Sequence, residues 1–300
     1  MSAFTAAYPR TDLACETRPR ELPPIPGVRA EESIEEGVSL SDLTILDDEA
    51  ARLMGKPIGR YVTLSRTKLW QLSGQDYDHF RDKLAEKLLC LAIEMTGRRP
   101  DPKFGVLIAG LGNRDITPDA IGPQTVQKLA VTRHLRTFEP AAYTAIGRCA
   151  LSALAPGVLG QTGIETVELI RGAVENAEPD LVIAVDALVA RSCERLATTV
   201  QLCNRGIDPG SGIGNNRKSI CRDTVGAPVM ALGVPTVVDS STLVYDALNR
   251  AGIDEISDDL RAVLENGRGF FVSPKESDVI TTHISTLLAD AIEHAFTIVE

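Results

Sequence analysis

Phe104-Gly-Val-Leu-Ile-Ala-Gly-Leu-Gly-Asn-Arg-Asp-Ile-Thr-Pro-Asp119-Ala-Ile-Gly122 is an apolar run that stops at a glycine-rich turn and then meets a carboxylate. A second stretch, Leu181-Val-Ile-Ala-Val-Asp186-Ala-Leu188, follows the same pattern, with a lone Asp breaking the apolar run. Short continuous apolar runs cut off by Gly or Asp suit strands buried on both faces of a parallel sheet. In open α/β sheets ligands bind outside the carboxyl ends of the strands, so both Asp119 and Asp186 are expected at the edge of a crevice.

The reading extends outward in both directions. Gly59–Ser65 predicts a strand, and Asp76–Met95 predicts an amphipathic helix with Phe80, Leu84, Leu88 and Leu91 on one face and Gly97 at its C′ position. From Phe104 the chain alternates. A strand over 104–109 precedes a helix over 119–133, then a strand at 150–154, a helix over 165–177 and a strand over 181–186. Apolar runs at 198–203, 228–232 and 237–238 follow, with helices over 241–251 and 256–266 and a closing helix over 274–296. Such alternation predicts an α/β fold, a mostly parallel sheet with helices on both faces. No internal repeat and no linker divides the chain. Residues 1–30, rich in Pro, Arg and Glu, read as extended and unpacked.

The balance of charges excludes one class of partner. The 300 residues carry 31 Lys and Arg against 41 Asp and Glu, a net charge of −10, which argues against a nucleic-acid backbone binder. No run approaches the ~20 apolar residues that span a bilayer, and no basic segment followed by an apolar one marks a secretory signal. Six cysteines without Cys-x-x-Cys spacing read as reduced thiols, so a cytoplasmic location and no membrane contact are expected.

Two aspartates at one crevice make an acid/base pair. Carboxylates about 4 Å apart repel by roughly 4 kcal/mol at an effective dielectric near 20, enough to separate their titrations by about three pKa units. One then stays neutral and donates while the other is ionised and accepts. Competing readings stand beside this one: Asp119 as a helix N-cap, Asp186 paired with Arg191 or Arg195, and Asp239 as a turn residue. Other motifs fail. Gly110 and Gly112 begin a dinucleotide fingerprint, but Asp115 occupies its third glycine position, and Arg217 replaces the glycine before Lys218-Ser219 of a phosphate loop. Ser211 lacks the glycines of a nucleophile elbow. His79, His134, His283 and His294 are scattered, without the spacing of a zinc site. No metal and no cofactor is expected.

Several long motifs together resemble the germination protease of endospore-forming bacteria. They include Arg10-Thr-Asp-Leu-Ala14, Gly110-Leu-Gly-Asn113 with Thr117-Pro-Asp-Ala-Ile-Gly-Pro123, and Ala155-Pro-Gly-Val-Leu-Gly-Gln-Thr-Gly-Ile-Glu-Thr166. Val185-Asp-Ala-Leu-Val-Ala-Arg-Ser192, Gly206-Ile-Asp-Pro-Gly-Ser-Gly-Ile-Gly-Asn215, Gly233-Val-Pro-Thr-Val-Val-Asp239 and Phe271-Val-Ser-Pro-Lys-Glu276 continue it in order along nearly the whole chain. The resemblance implies an aspartic-type endopeptidase with a fold like that of the hydrogenase maturation proteases, its catalytic aspartates falling on Asp119 and Asp186. It implies a homotetrameric zymogen of the forespore and spore core, whose substrates are small acid-soluble spore proteins cut after an acidic residue. Thr11-Asp12-Leu13-Ala14-Cys15-Glu16 matches that cleavage context, with Cys15 replacing a smaller polar residue. Self-cleavage is therefore expected between Asp12 and Leu13, leaving a pro-segment of residues 1–12 and a single peptidase domain of 13–300 with inserted loops. The acidic side chain before the cut needs a cation, for which Arg191, Arg217 and Lys275 are candidates. Loops 155–166 and 206–218 are expected to bind the extended substrate. A metal-dependent maturation protease of the same fold, and a non-catalytic storage or scaffold protein, are the alternatives.

Overall fold

One mixed sheet organises the computed structural model, which describes residues 11–17, 25–210, 217–253, 255–266 and 269–298. Its strands are β1 (Val28–Glu35), β2 (Val38–Ile45), β3 (Gly59–Ser65), β4 (Gly105–Gly110), β5 (Ala150–Leu154), β6 (Leu181–Ala190), β7 (Thr199–Cys203), β8 (Val229–Asp239) and β9 (Phe271–Val272). They lie in the order β1-β2-β3-β7-β8-β6-β4-β5, with β9 beside β8. The neighbours β8, β6, β4 and β5 run parallel. From β8 outward through β7, β3, β2 and β1 every pairing is antiparallel. The chain is thus α/β, and its parallel part is built from the apolar runs identified in the sequence.

Period-two alternation sends side chains of these strands into two cores. Val106, Ile108, Ile183, Val185 and Leu232 face the helices Gly74–Thr96 and Ser277–Ala295, meeting Phe80, Leu84, Leu88, Ile284, Leu288 and Ile292. Leu107, Ala109, Val182, Ala184 and Val229 face the helix Thr166–Ala177 through Val167, Ile170 and Val174. Gly97 ends the helix before β4 in the left-handed conformation at φ 71°, its N–H on the Ile93 carbonyl, as its position predicts.

Four segments differ from expectation. The strand expected to stop at Asp186 runs on to Ala190, because its pairing with β8 continues past the point where β4 ends, and Asp186 lies inside β6. The helix expected over 119–133 is a 3₁₀ turn at Thr117–Asp119, a helix at Ile121–Lys128 and a second helix at Arg133–Phe138. Thr132 breaks it, because its N–H reaches the Leu151 carbonyl (2.9 Å) and its hydroxyl accepts from the Leu151 N–H (3.0 Å), tying the chain to β5. The β1–β2 hairpin gave no apolar signal, since β1 is nearly all exposed and rich in Glu. Glu36 and Gly37 (φ 48° and 79°) form its two-residue turn, and cross-strand register holds it. Residues 11–17, expected to be unpacked, instead bury Leu13 and Ala14 completely. The rest of the stretch before Ile25 lies outside the described residues.

Candidate active site

Three glycines let the chain press against the carboxyl end of β4 and the middle of β6. A Cβ at Gly110 would overlap the Gly122 backbone, one at Gly122 would overlap Leu111 and the Val185 carbonyl, and one at Gly112 would overlap the Asp119 carbonyl. Gly112 also has φ +108°, which an L side chain rarely adopts. The Leu111 N–H closes onto the Val185 carbonyl at 2.8 Å. The Gly-x-Gly pattern therefore serves close backbone packing, and it brings the Asp119 turn beside the middle of β6, where β4 ends.

Asp119 is not a helix cap: the helix Ile121–Lys128 begins at Ala120 without a side-chain cap bond. Its Oδ2 instead accepts the Asn113 N–H at 2.6 Å, in the glycine turn itself. Asp186 is carried by β6 on the face of Val182 and Ala184, is only 7% exposed, and accepts the Ala187 N–H on Oδ1 at 2.9 Å. Its pairing with an arginine does not form. Arg195 donates to Ser65 Oγ (3.0 Å), and the charges that act on Asp186 are those of Asp119 and Asp12, both negative. Asp239 caps the helix Ser240–Arg250 by accepting the Thr242 N–H at 2.9 Å, in keeping with a turn residue.

Asp119 and Asp186 line one cleft of about 770 Å³. Burial first, and then the charge of Asp119, drive the Asp186 carboxyl well above the usual carboxylate range. Burial also raises Asp119, but the Asn113 N–H opposes it by favouring the ionised form. Both carboxyls are thus pushed upward, Asp186 by burial and by its neighbour's charge, Asp119 by burial alone. Its cross-strand neighbour on β8 is Gly233, and the neighbour of Gly233 on β7 is Gln201. Asp186, Gly233 and Gln201 thus form a row across three strands, roughly 10 Å from end to end at the usual strand spacing, with the Leu188 side chain packed over Gly233 at its centre.

The chain's own residues 11–16 run through this cleft. The Asp12 N–H donates to the Val189 carbonyl (2.8 Å), and the Val189 N–H donates to Asp12 Oδ2 (2.9 Å). Gln201 Nε2 donates to the Asp12 carbonyl (3.1 Å), and Gln201 Oε1 accepts the Ala14 N–H (2.7 Å). Leu13 inserts among Leu188, Ala190, Leu196 and Val238. Glu16 accepts the N–H groups of Arg191 (2.7 Å) and Ser192 (3.0 Å), and the Thr11 hydroxyl closes onto the same carboxylate.

The proposed cation candidates separate on inspection. Arg217 lines the cleft. Arg191 meets the segment through its backbone N–H, to Glu16 and not to Asp12, and Lys275 is exposed and outside the cleft lining. Lys56 was missed. It lines the cleft and donates from Nζ to the Thr11 carbonyl at 2.8 Å. Burial depresses its pKa, against the opposing pull of the Asp12 carboxylate. Nothing in Gly55-Lys56-Pro57 marks it, because only the antiparallel half of the sheet brings this loop to the cleft. Gln201 did carry a signal, as the one amide in the apolar strand Thr199-Val-Gln-Leu-Cys203. Gly157, Val158 and Thr166 from one expected loop, and Gly206–Gly210 with Arg217 from the other, line the cleft, while residues 211–216 lie outside the described residues. Among the described residues no three His, Cys, Asp or Glu side chains converge as a metal would need. No described helix is long and apolar enough to cross a membrane.

Comparison with known proteins places the chain in a family. The family model described as germination protease matches residues 11–251. A germination protease of Caldanaerobacter subterraneus subsp. tengcongensis is 39% identical over 313 aligned positions, covering 95% of this chain and 93% of that protein. One from Clostridium perfringens is 40% identical, covering 95% of this chain and 94% of the relative. One from Bacillus cytotoxicus is 42% identical over 80% of this chain and 66% of its own length.

Proposed function

The chain belongs to the germination protease family and is a peptidase, and from that premise we propose that it is an aspartic-type endopeptidase made as a self-processing zymogen. Asp119, the more exposed carboxylate, is the base that takes a proton from water. Asp186, held protonated by burial and by its neighbour's charge, is the acid that protonates the carbonyl oxygen as the water oxygen bonds to the carbonyl carbon. As that tetrahedral carbon collapses, a hydroxyl proton returns to Asp186, the carbon–nitrogen bond breaks, and the leaving amine takes the proton held by Asp119, which restores the pair. The bond cut in the chain itself is Asp12–Leu13, and residues 1–12 are the pro-segment of a single peptidase domain. In trans the substrates are small acid-soluble spore proteins, degraded in the spore core by a homotetramer.

One observation carries this reading: the segment Thr11–Glu16, which turns into a 3₁₀ helix at Ala14–Glu16, is held at the cleft that contains both aspartates, with Asp12 in its lining and close enough for its charge to act on Asp186. Lys56, Arg205 and Arg217 are the cations among the described lining residues, and of these Lys56 feels the Asp12 carboxylate. The test is mass spectrometry of the purified full-length chain incubated across a range of pH. New termini at Asp12 and Leu13 in the wild type, absent from Asp119→Asn and Asp186→Asn, are expected. An intact chain at every pH, or equal cutting by all three proteins, refutes the reading.

A further inference from the structure

We propose that Gln201 is the positioning residue for peptide hydrolysis, its carboxamide gripping the backbone on both sides of the bond to be cut. This rests on the reading of Asp12–Leu13 as that bond. The side chain is only 7% exposed and its two ends are both engaged. Nε2 donates to the Asp12 carbonyl at 3.1 Å, the group that water attacks, and Oε1 accepts the Ala14 N–H at 2.7 Å. A carboxamide is uncharged and offers a donor and an acceptor in a single plane. The partners of this grip are backbone atoms, so any extended peptide satisfies it whatever its side chains.

The sheet explains why the residue lies there. Gln201, Gly233 and Asp186 share one register row on β7, β8 and β6, so the carboxamide and the buried acid stand at opposite ends of that row. Gly233 keeps its centre free of a side chain of its own, and Leu188, whose side chain packs over that glycine, offers the apolar wall against which Leu13 rests. The amide N–H on the attacked carbonyl both fixes the face presented to water and favours the negative charge that develops on that oxygen.

The full-length chain tests this through Gln201→Leu and Gln201→Glu, with the rate of cutting at Asp12–Leu13 followed by mass spectrometry across pH. Gln201→Leu is expected to process at least tenfold more slowly at every pH. Gln201→Glu is expected to be slow near neutrality and to recover on acidification relative to the wild type, because only the neutral carboxylic acid restores both a donor and an acceptor. If Gln201→Leu proves less stable, the isosteric Gln201→Glu profile decides. Processing of Gln201→Leu within about twofold of wild type, or a Gln201→Glu profile parallel to wild type, overturns the proposal. Should the wild type not cut at Asp12–Leu13, the aspartate reading fails separately, and hydrogen exchange decides for Gln201. Faster exchange of the Ala14 N–H in Gln201→Leu then supports the grip, and unchanged protection overturns it.

Discussion

Asp186 costs the fold stability, because a carboxyl whose native pKa is raised holds its proton in the native state at pH values where the unfolded chain has released it. Stability therefore falls as pH rises from the unfolded value, about 3.9, toward the raised native one. Asp186→Asn removes that penalty. Thermal melts should show the variant more stable than wild type at pH 7, with the gain shrinking to nothing below about pH 4, while processing drops by at least 10²-fold, the usual contribution of a general acid. Lys56 carries the complementary expectation. Lys56→Met should slow self-cleavage by about tenfold, the rate change that ~1.4 kcal/mol produces. Asp12→Asn should slow the wild type but add little in the Lys56→Met background, as measured by a double-mutant cycle on the processing rate. Equal effects of Asp12→Asn in both backgrounds would show that Lys56 does not read the Asp12 carboxylate.

The elements that set the site are the turn between β4 and the helix Ile121–Lys128 and the row across β6, β8 and β7. Gly122→Ala forces a Cβ into the backbone of Leu111 and Val185, and should destabilise by about 1–3 kcal/mol. It should also slow processing beyond that loss by displacing Asp119. Gly172→Ala, in the helix Thr166–Ala177 with open space around it, should stabilise by roughly 0.5–1 kcal/mol and leave processing unchanged. Urea unfolding of the two variants checks both signs. The end of β4 was legible because an apolar run that meets Gly leaves few structural alternatives. The breaks were not: Thr132 ends a helix through partners on β5, which no local spacing encodes.

At the scale of the whole molecule, the amino-terminal segment is part of the folded body. Leu13 is fully buried against β6 and β8, and Ala14 packs into the cluster formed by β2, β3 and the helix Asp48–Met54. Leu13→Ala should cost about 2–5 kcal/mol, as for a core leucine, measurable by urea unfolding. A loss under about 0.5 kcal/mol, the range of an ordinary surface substitution, would mean that the segment is not seated as described.

The sequence by itself determined the apolar strands, the two amphipathic helices that cover one face of the parallel sheet, and the two aspartates that follow apolar runs, but not that β6 continues past Asp186 to Ala190. What it determined follows from local periodicity and from the cost of placing a charge in a buried strand. Tertiary structure alone decided that Lys56 reaches the cleft, that Gln201 stands in register with Asp186 across Gly233, and that Arg191 contributes its backbone in place of its guanidinium. Antiparallel pairing brings β3 and β7 alongside β8 from distant parts of the chain. Register, a property of several strands at once, then selects which side chains share a face.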